Sequence, residues 1–146
     1  MFDGNLILPN PSWVSYVPQS KFAKNKHYYV PSYTEKGEFS IDIAELEKLL
    51  QSLEGQNNYF LINYPNNPTG ATLNRDQLQE ITDVARKYGL FVLSDEIYSE
   101  TCFSEEGHSS IAEFYPERTI ITNGCSKWLG AGGWRLGFMI IPKTMS

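Results

Sequence analysis

The sequence predicts an α/β fold: a mainly parallel sheet with helices on both faces. Three observations carry that expectation. Short apolar runs alternate along the chain with segments of helical period. Residues 59–62 and 90–93 are continuously apolar over strand length, as strands covered on both faces are. Polar, turn-rich clusters follow the runs, and strands joined through helices imply right-handed βαβ crossovers.

The elements follow in order. Residues 5–8 read as a strand, ended by Pro9-Asn10-Pro11. Residues 13–24 read as helical in part, with Pro18 interrupting the pattern. Residues 27–30 read as a second strand. Ile43, Leu46, Leu49, Leu50 and Leu53 recur at helical spacing; Asp42 and Glu45 stand as a capping box before them and Gly55 as the stop. Residues 59–62 are a buried strand, followed by the turn-rich stretch Asn63-Tyr64-Pro65-Asn66-Asn67-Pro68-Thr69-Gly70. The next helix is framed by Asn74 with Gln77 as a capping box, by Leu73 with Leu78 as a hydrophobic staple, and by Gly89. Leu78, Ile81, Ala85 and Tyr88 line its apolar face. Strands at 90–93, 119–122 and 136–141 complete the pattern.

A length of 146 residues predicts one domain. Twelve basic against seventeen acidic residues give a net charge of −5, which argues against a surface that displaces counterions from nucleic acid. The longest apolar runs, 90–93 and 138–141, fall far short of the ~20 residues of a membrane span. No leader pattern opens the chain, and Cys102 and Cys125 make no disulfide framework. Asn10-Pro11-Ser12 and Asn67-Pro68-Thr69 are disqualified as glycosylation acceptors by their proline. The expectation is a soluble, reduced, cytoplasmic protein.

Several familiar chemistries fail on spacing. Gly130-Ala131-Gly132 begins a dinucleotide loop, but Arg135 stands where its third glycine belongs. Gly124-Cys125-Ser126 is half a nucleophile elbow, with Trp128 in place of the second glycine. His27 and His108 have no partner at metal-ligand spacing, so no metal site is expected and both read as surface or structural residues.

Ligands in open α/β sheets bind beyond the carboxyl ends of the strands. The residues there are Trp13, Asn67, Asp95, Tyr98 and Lys127, with Arg135 farther on. A partly desolvated lysine amine can form a Schiff base with an aldehyde. A carboxylate such as Asp95 can keep a pyridine nitrogen protonated, and the Trp13 indole can cover a ring face. Asn67 and Tyr98 can hydrogen-bond a phenolic oxygen, and Arg135 can hold a phosphate in bidentate fashion. That set is what pyridoxal phosphate chemistry requires. Singly, each residue has a plainer explanation: Trp13 and Trp134 as core aromatics, Asn67 as turn chemistry, Asp95 as a helix cap, Lys127 and Arg135 as solvated surface. Glu96, Glu100, Glu105 and Glu106 read as a solvated acidic face with no role.

At these positions the sequence resembles the class I/II aminotransferases of fold-type I pyridoxal-phosphate enzymes. The resemblance rests on 63–70, Ser94-Asp95-Glu96-Ile97-Tyr98, Ser126-Lys127 and Gly133-Trp134-Arg135-Leu136-Gly137, in family order from Pro11 onward. It implies that Lys127 is the Schiff-base lysine and proton carrier, and that Asp95 partners the ring nitrogen. Asn67 and Tyr98 then meet the phenolic oxygen, Arg135 meets the phosphate, and Trp13 stacks on the ring. Two departures stand out. Gly124 replaces the serine that many members have three residues before the lysine, and Gly130-Ala131-Gly132-Gly133 is looser than the usual stretch before the tryptophan.

The implied fold is the large, cofactor-binding domain over 1–146, incomplete, without the N-terminal segment and the C-terminal small domain of the family. The implied activity is transfer of an amino group from an amino acid to a 2-oxo acid, in a homodimer of the full-length protein. The alternatives are a carbon–sulfur lyase, or an inactive ligand-binding domain, of the same fold.

Overall fold

A computed structural model describes residues 3–33 and 37–145. Among them, six strands form one sheet in the order β2-β1-β3-β4-β5-β6. The strands are β1 (Asn5–Asn10), β2 (Lys26–Pro31), β3 (Asn58–Asn63), β4 (Phe91–Asp95), β5 (Thr119–Gly124) and β6 (Gly137–Ile140). β1 to β5 run parallel, and β6 pairs antiparallel with β5. The α-helices are α1 (Tyr16–Phe22), α2 (Ile43–Ser52) and α3 (Arg75–Tyr88). No helix among the described residues is long and apolar enough to cross a membrane.

Local signals explain where the helices start and stop. In α3, Gln77 N donates to Asn74 Oδ1 at 2.9 Å and Asn74 N donates to Gln77 Oε1 at 2.9 Å, so the capping box is complete. Leu73 and Leu78 are both buried beside it. Gly89 closes the helix at φ +61°, a left-handed conformation that a Cβ disfavours. In α2, Asp42 accepts from Glu45 N at 3.0 Å, but the Glu45 carboxylate pairs with Lys48 at 3.1 Å. That helix ends at Ser52 with Leu53 as its cap, ahead of Gly55. Pro18 is tolerated because it falls in the first turn of α1, where backbone N–H groups have no helical partner.

The period of two along each strand divides the core. Ile7, Phe60, Ile62 and Val92 pack with Leu46 and Leu50 of α2 and Leu78, Ile81 and Ala85 of α3. Leu6, Leu8 and Tyr59, with Leu61, Phe91 and Leu93, face the other side, where Tyr16 and Val17 of α1 cover them. Helices therefore lie on both faces. The sheet order turns outward in both directions from β1 and β3, which is the kind of switch point where α/β sheets bind ligands.

β6 is antiparallel because residues 125–136 contain only a short 3-10 turn, Gly132–Trp134. A parallel return is usually carried by a helical crossover, and this link holds no α-helix. Gly124 and Gly137 are register partners there. A Cβ at Gly124 would lie 2.9 Å from the Leu136 carbonyl oxygen and 3.3 Å from Gly137 Cα. The space that a side chain at position 124 would take is thus filled by the backbone leading into β6.

Candidate active site

The carboxyl ends of β1, β3, β4 and β5 open into a cleft of about 260 Å³. Trp13, Asn67, Asp95, Tyr98 and Lys127 all line it. They come from four separate segments, and parallel register delivers them: Asn63 is level with Asp95, and Asp95 with Thr122. Each strand continues past its apolar run by one or two polar residues, which is how the polar ends reach the rim.

Asp95 is the best-anchored group in the cleft. Tyr16 Oη donates to its Oδ2 at 2.6 Å, and Ile97 N donates to its Oδ1 at 3.3 Å. Asn63 Nδ2 donates to the Asp95 carbonyl at 2.9 Å, while Asn63 Oδ1 accepts from Asn67 N at 2.8 Å. One buried asparagine thereby ties the β4 end to the turn that carries Asn67. Burial first, and then the Asp95 charge, push the Tyr16 phenol far above its ordinary pKa, so the proton stays on Oη. Tyr16 also meets Trp13 edge-on, with ring centroids 5.3 Å apart and planes at 84°.

Lys127 differs from expectation. Its side chain is exposed rather than desolvated, because it follows β5 in a turn with little packed against it. Its Nζ lies 5.3 Å from the centre of the Tyr98 ring, a cation–π contact. Among the described residues no carboxylate forms an ion pair with it. The amine is therefore held over the cleft without being neutralised by a salt bridge.

Arg135 is not brought into the cleft. It is exposed, has φ +52°, and donates from Nη1 to the Gly132 carbonyl at 3.0 Å. The glycine-rich stretch before it turns back on itself, and the guanidinium caps that turn.

Glu96 corrects the sequence reading of a solvated acidic face. It is buried, and its carboxylate accepts from Ser94 Oγ at 2.9 Å and Ser110 Oγ at 2.6 Å, with His108 Nε2 at 3.1 Å. Burial pushes the Glu96 carboxyl up, but the bonds from His108, Ser110 and Ser94 outweigh it and hold the group below its ordinary value. His108 stacks against Tyr64 with centroids 5.0 Å apart, a structural residue. No cluster of three or more His, Cys, Asp or Glu suited to a metal ion exists among the described residues.

Sequence reasoning gave no individual role to Tyr16, Asn63, Ile97, Thr122 and Asn123, which also line the cleft. Tyr16 lies three residues after Trp13 across the turn that opens α1, where Tyr16 N donates to the Trp13 carbonyl at 3.2 Å. Asn63 opens the turn-rich stretch and ends β3, which the strand-end rule covers.

Chemically, the cleft offers a flat indole, a phenol and an amide, an anchored carboxylate and a primary amine. That donor set suits a flat, polar, aldehyde-bearing ring. The comparisons point the same way. The family model described as "Aminotransferase class I and II" matches residues 3–145. An aspartate aminotransferase of Pyrococcus horikoshii is 39% identical over 140 residues, covering 96% of this chain and 35% of that protein. An aromatic-amino-acid aminotransferase of Thermococcus litoralis is 41% identical over 140 residues, covering 94% and 35%. The crystal structure of an aromatic aminotransferase from Pyrococcus horikoshii superposes with a TM-score of 0.87 at 38% identity, over 99% of this chain and 39% of that one. The chain spans about a third of the length of the curated relatives it matches.

Proposed function

Since the chain belongs to the class I and II aminotransferase family, we propose that the protein carrying it is a pyridoxal-phosphate-dependent transaminase. It moves an amino group from an amino acid to a 2-oxo acid. The observation that carries this reading is the convergence of Trp13, Asn67, Asp95, Tyr98 and Lys127 on one cleft at the carboxyl edge of the sheet. The names of the relatives, aspartate and aromatic-amino-acid aminotransferases, support the substrate class.

The residues fit the cofactor by the chemistry of their donors. Pyridoxal phosphate supplies, when bound, an aldehyde that takes a primary amine and a protonated pyridine ring that draws electrons from the substrate Cα. Lys127 Nζ is the amine that holds it, and the same nitrogen takes and returns the proton at the substrate Cα. Having no carboxylate partner among the described residues suits both tasks. Asp95, anchored by Tyr16 and Ile97 N, gives the ring nitrogen a fixed anion. Asn67 and Tyr98 donate to the phenolic oxygen, and the Trp13 indole covers one ring face. The phosphate falls to the exposed Arg135 on the family resemblance.

The test is covalent loading and product analysis with the full-length protein. Incubation with pyridoxal phosphate followed by borohydride is expected to fix one cofactor on Lys127, and Lys127→Ala to abolish the adduct and the visible absorbance. An adduct retained by Lys127→Ala overturns the lysine assignment. Release of ammonia and pyruvate from a thioether amino acid, without an acceptor acid, overturns transamination in favour of the lyase.

A further inference from the structure

A donor at Asn67 is useful only if the turn that carries it is seated firmly over the cleft. Within itself the turn is laced: Gly70 N donates to the Asn66 carbonyl and Asn66 N to the Ala71 carbonyl, each at 2.7 Å, and Thr69 Oγ1 donates to Asn66 Oδ1 at 3.1 Å. Its seat on the sheet comes from Asn63, which is buried at the last rung of the β3–β4 ladder, level with Asp95. Asn63 Nδ2 donates to the Asp95 carbonyl at 2.9 Å, and Asn63 Oδ1 accepts from Asn67 N at 2.8 Å. These partners leave the amide one orientation, because a carbonyl can only accept and a backbone N–H can only donate. The Asn63 carbonyl also accepts from Asn66 Nδ2 at 3.3 Å, a second and longer tie to the same turn.

We propose that Asn63 is a positioning residue that seats the phenolic-oxygen donor, Asn67, on the strand end that carries Asp95, so that two edges of the cofactor ring are met at one fixed spacing. The proposal rests on the reading of Asn67 as that donor. Its logic is geometric. Asn67 reaches the cleft from a turn and Asp95 from a strand, and one buried amide bridges the backbones of both. A hydrogen bond weakens as its length and angle leave their narrow ranges, so a turn that drifts on the sheet loses the bond Asn67 makes. The consequence falls on a proton. A donor on the phenolic oxygen occupies a lone pair that otherwise holds the proton shared with the Lys127 nitrogen. With the donor displaced, that proton stays in place to higher pH.

The experiment uses the full-length protein and two readouts: hydrogen exchange at the Asn67 amide without cofactor, and the pH midpoint of the visible absorbance with pyridoxal phosphate bound to Lys127. Asn63→Ala removes both side-chain bonds. It is expected to speed Asn67 exchange about tenfold or more. The midpoint is expected to rise by about one pH unit, the scale of one hydrogen bond to a charged group. Asn63→Ser leaves a hydroxyl too short to bridge; it is expected to change both readouts in the same direction, and it decides the matter if the alanine variant does not fold. Asn58→Ala is the control for general loosening: Asn58 is buried at the other end of β3 and bonds Asn5, Leu53 and Gln56, away from the turn. A midpoint within about 0.2 unit of the native one in the Asn63 variants, or an equal rise in Asn58→Ala, overturns the proposal. Asn67→Ala separates the two layers. If it leaves the midpoint unmoved, the role of Asn67 itself fails; if it raises the midpoint and the Asn63 variants do not, only the role of Asn63 fails.

Discussion

Glu96→Ala removes the centre of a buried polar network. The carboxylate collects bonds from Ser94 at 2.9 Å, Ser110 at 2.6 Å and His108 at 3.1 Å, the first buried and the other two partly so. Each bond to a charged group contributes about 1.5–3 kcal/mol, but removing the carboxylate also removes the penalty of burying it. The loss that remains is about 3–5 kcal/mol, the scale of breaking a buried pair while leaving its partners unpaired. Glu96→Gln keeps an amide oxygen for the two serines, both of which bond the same carboxylate oxygen, and changes only the atom facing His108. Its loss is expected to be about 1–2 kcal/mol. Urea unfolding of the full-length protein, followed by tryptophan fluorescence, measures both. A Glu96→Ala loss below about 1 kcal/mol, or equal losses in the two variants, refutes the network. The pH dependence has a defined sign. The folded carboxyl lies below its ordinary value of 4.5, so its contribution is complete above that value and disappears as pH falls through the lowered folded one. The gap between the native protein and Glu96→Gln is therefore expected to close as pH falls below 4.5.

Two further changes test local geometry. Gly124→Ser puts a Cβ 2.9 Å from the Leu136 carbonyl oxygen, backbone that yields only by moving β6, so a loss of about 1–3 kcal/mol is expected in the same unfolding assay. Faster amide exchange at Cys125, which bonds Leu136 O at 3.1 Å, should accompany it; unchanged exchange would show that β6 accommodates the side chain. Asn74→Ala removes the side-chain half of the α3 capping box, the Oδ1 that accepts from Gln77 N, and is expected to lose about 1 kcal/mol, whereas Asn74→Ser should recover most of it. No difference between the alanine and serine variants would assign the start of α3 to packing of Leu73 and Leu78 instead.

Most of the fold was legible because its signals are local. Capping at Asn74, the left-handed Gly89 and the apolar runs of β3 and β4 each lie within a few residues of the element they define. The runs of the parallel strands stop short of their carboxyl ends. β1 continues to Asn10, β4 to Asp95 and β5 to Gly124, where hydrophobicity has already stopped. Those extensions are polar because the sheet there borders the cleft rather than the core, so the place where the apolar signal fails is the place where the chemistry begins. The opposite direction of β6 was less legible, since periodicity carries no direction; the link over 125–136 has no α-helix to carry a parallel crossover.

Glu96 shows why the rest was not legible. Asp95 and Glu96 are adjacent carboxylates, and composition treats them alike. Alternation along β4 separates them: Phe91, Leu93 and Asp95 share the face that α1 covers, while Val92, Ser94 and Glu96 share the other. Asp95 thus meets Tyr16 at the rim of the cleft, and Glu96 meets Ser110 and His108 beneath it. Those partners lie fourteen and twelve residues away along the chain, across a segment without regular period. No window of local sequence contains both ends of such a bond. The strand parity, however, is contained in the sequence: a residue one step beyond a cleft-facing aspartate on a strand buried on both faces points into the protein, where an acid survives only with hydrogen-bond donors around it. The adjacency of the two acids therefore has a structural consequence, because the buried network around Glu96 pins the peptide from which Asp95 projects, and the two faces of one strand end are held by independent sets of bonds.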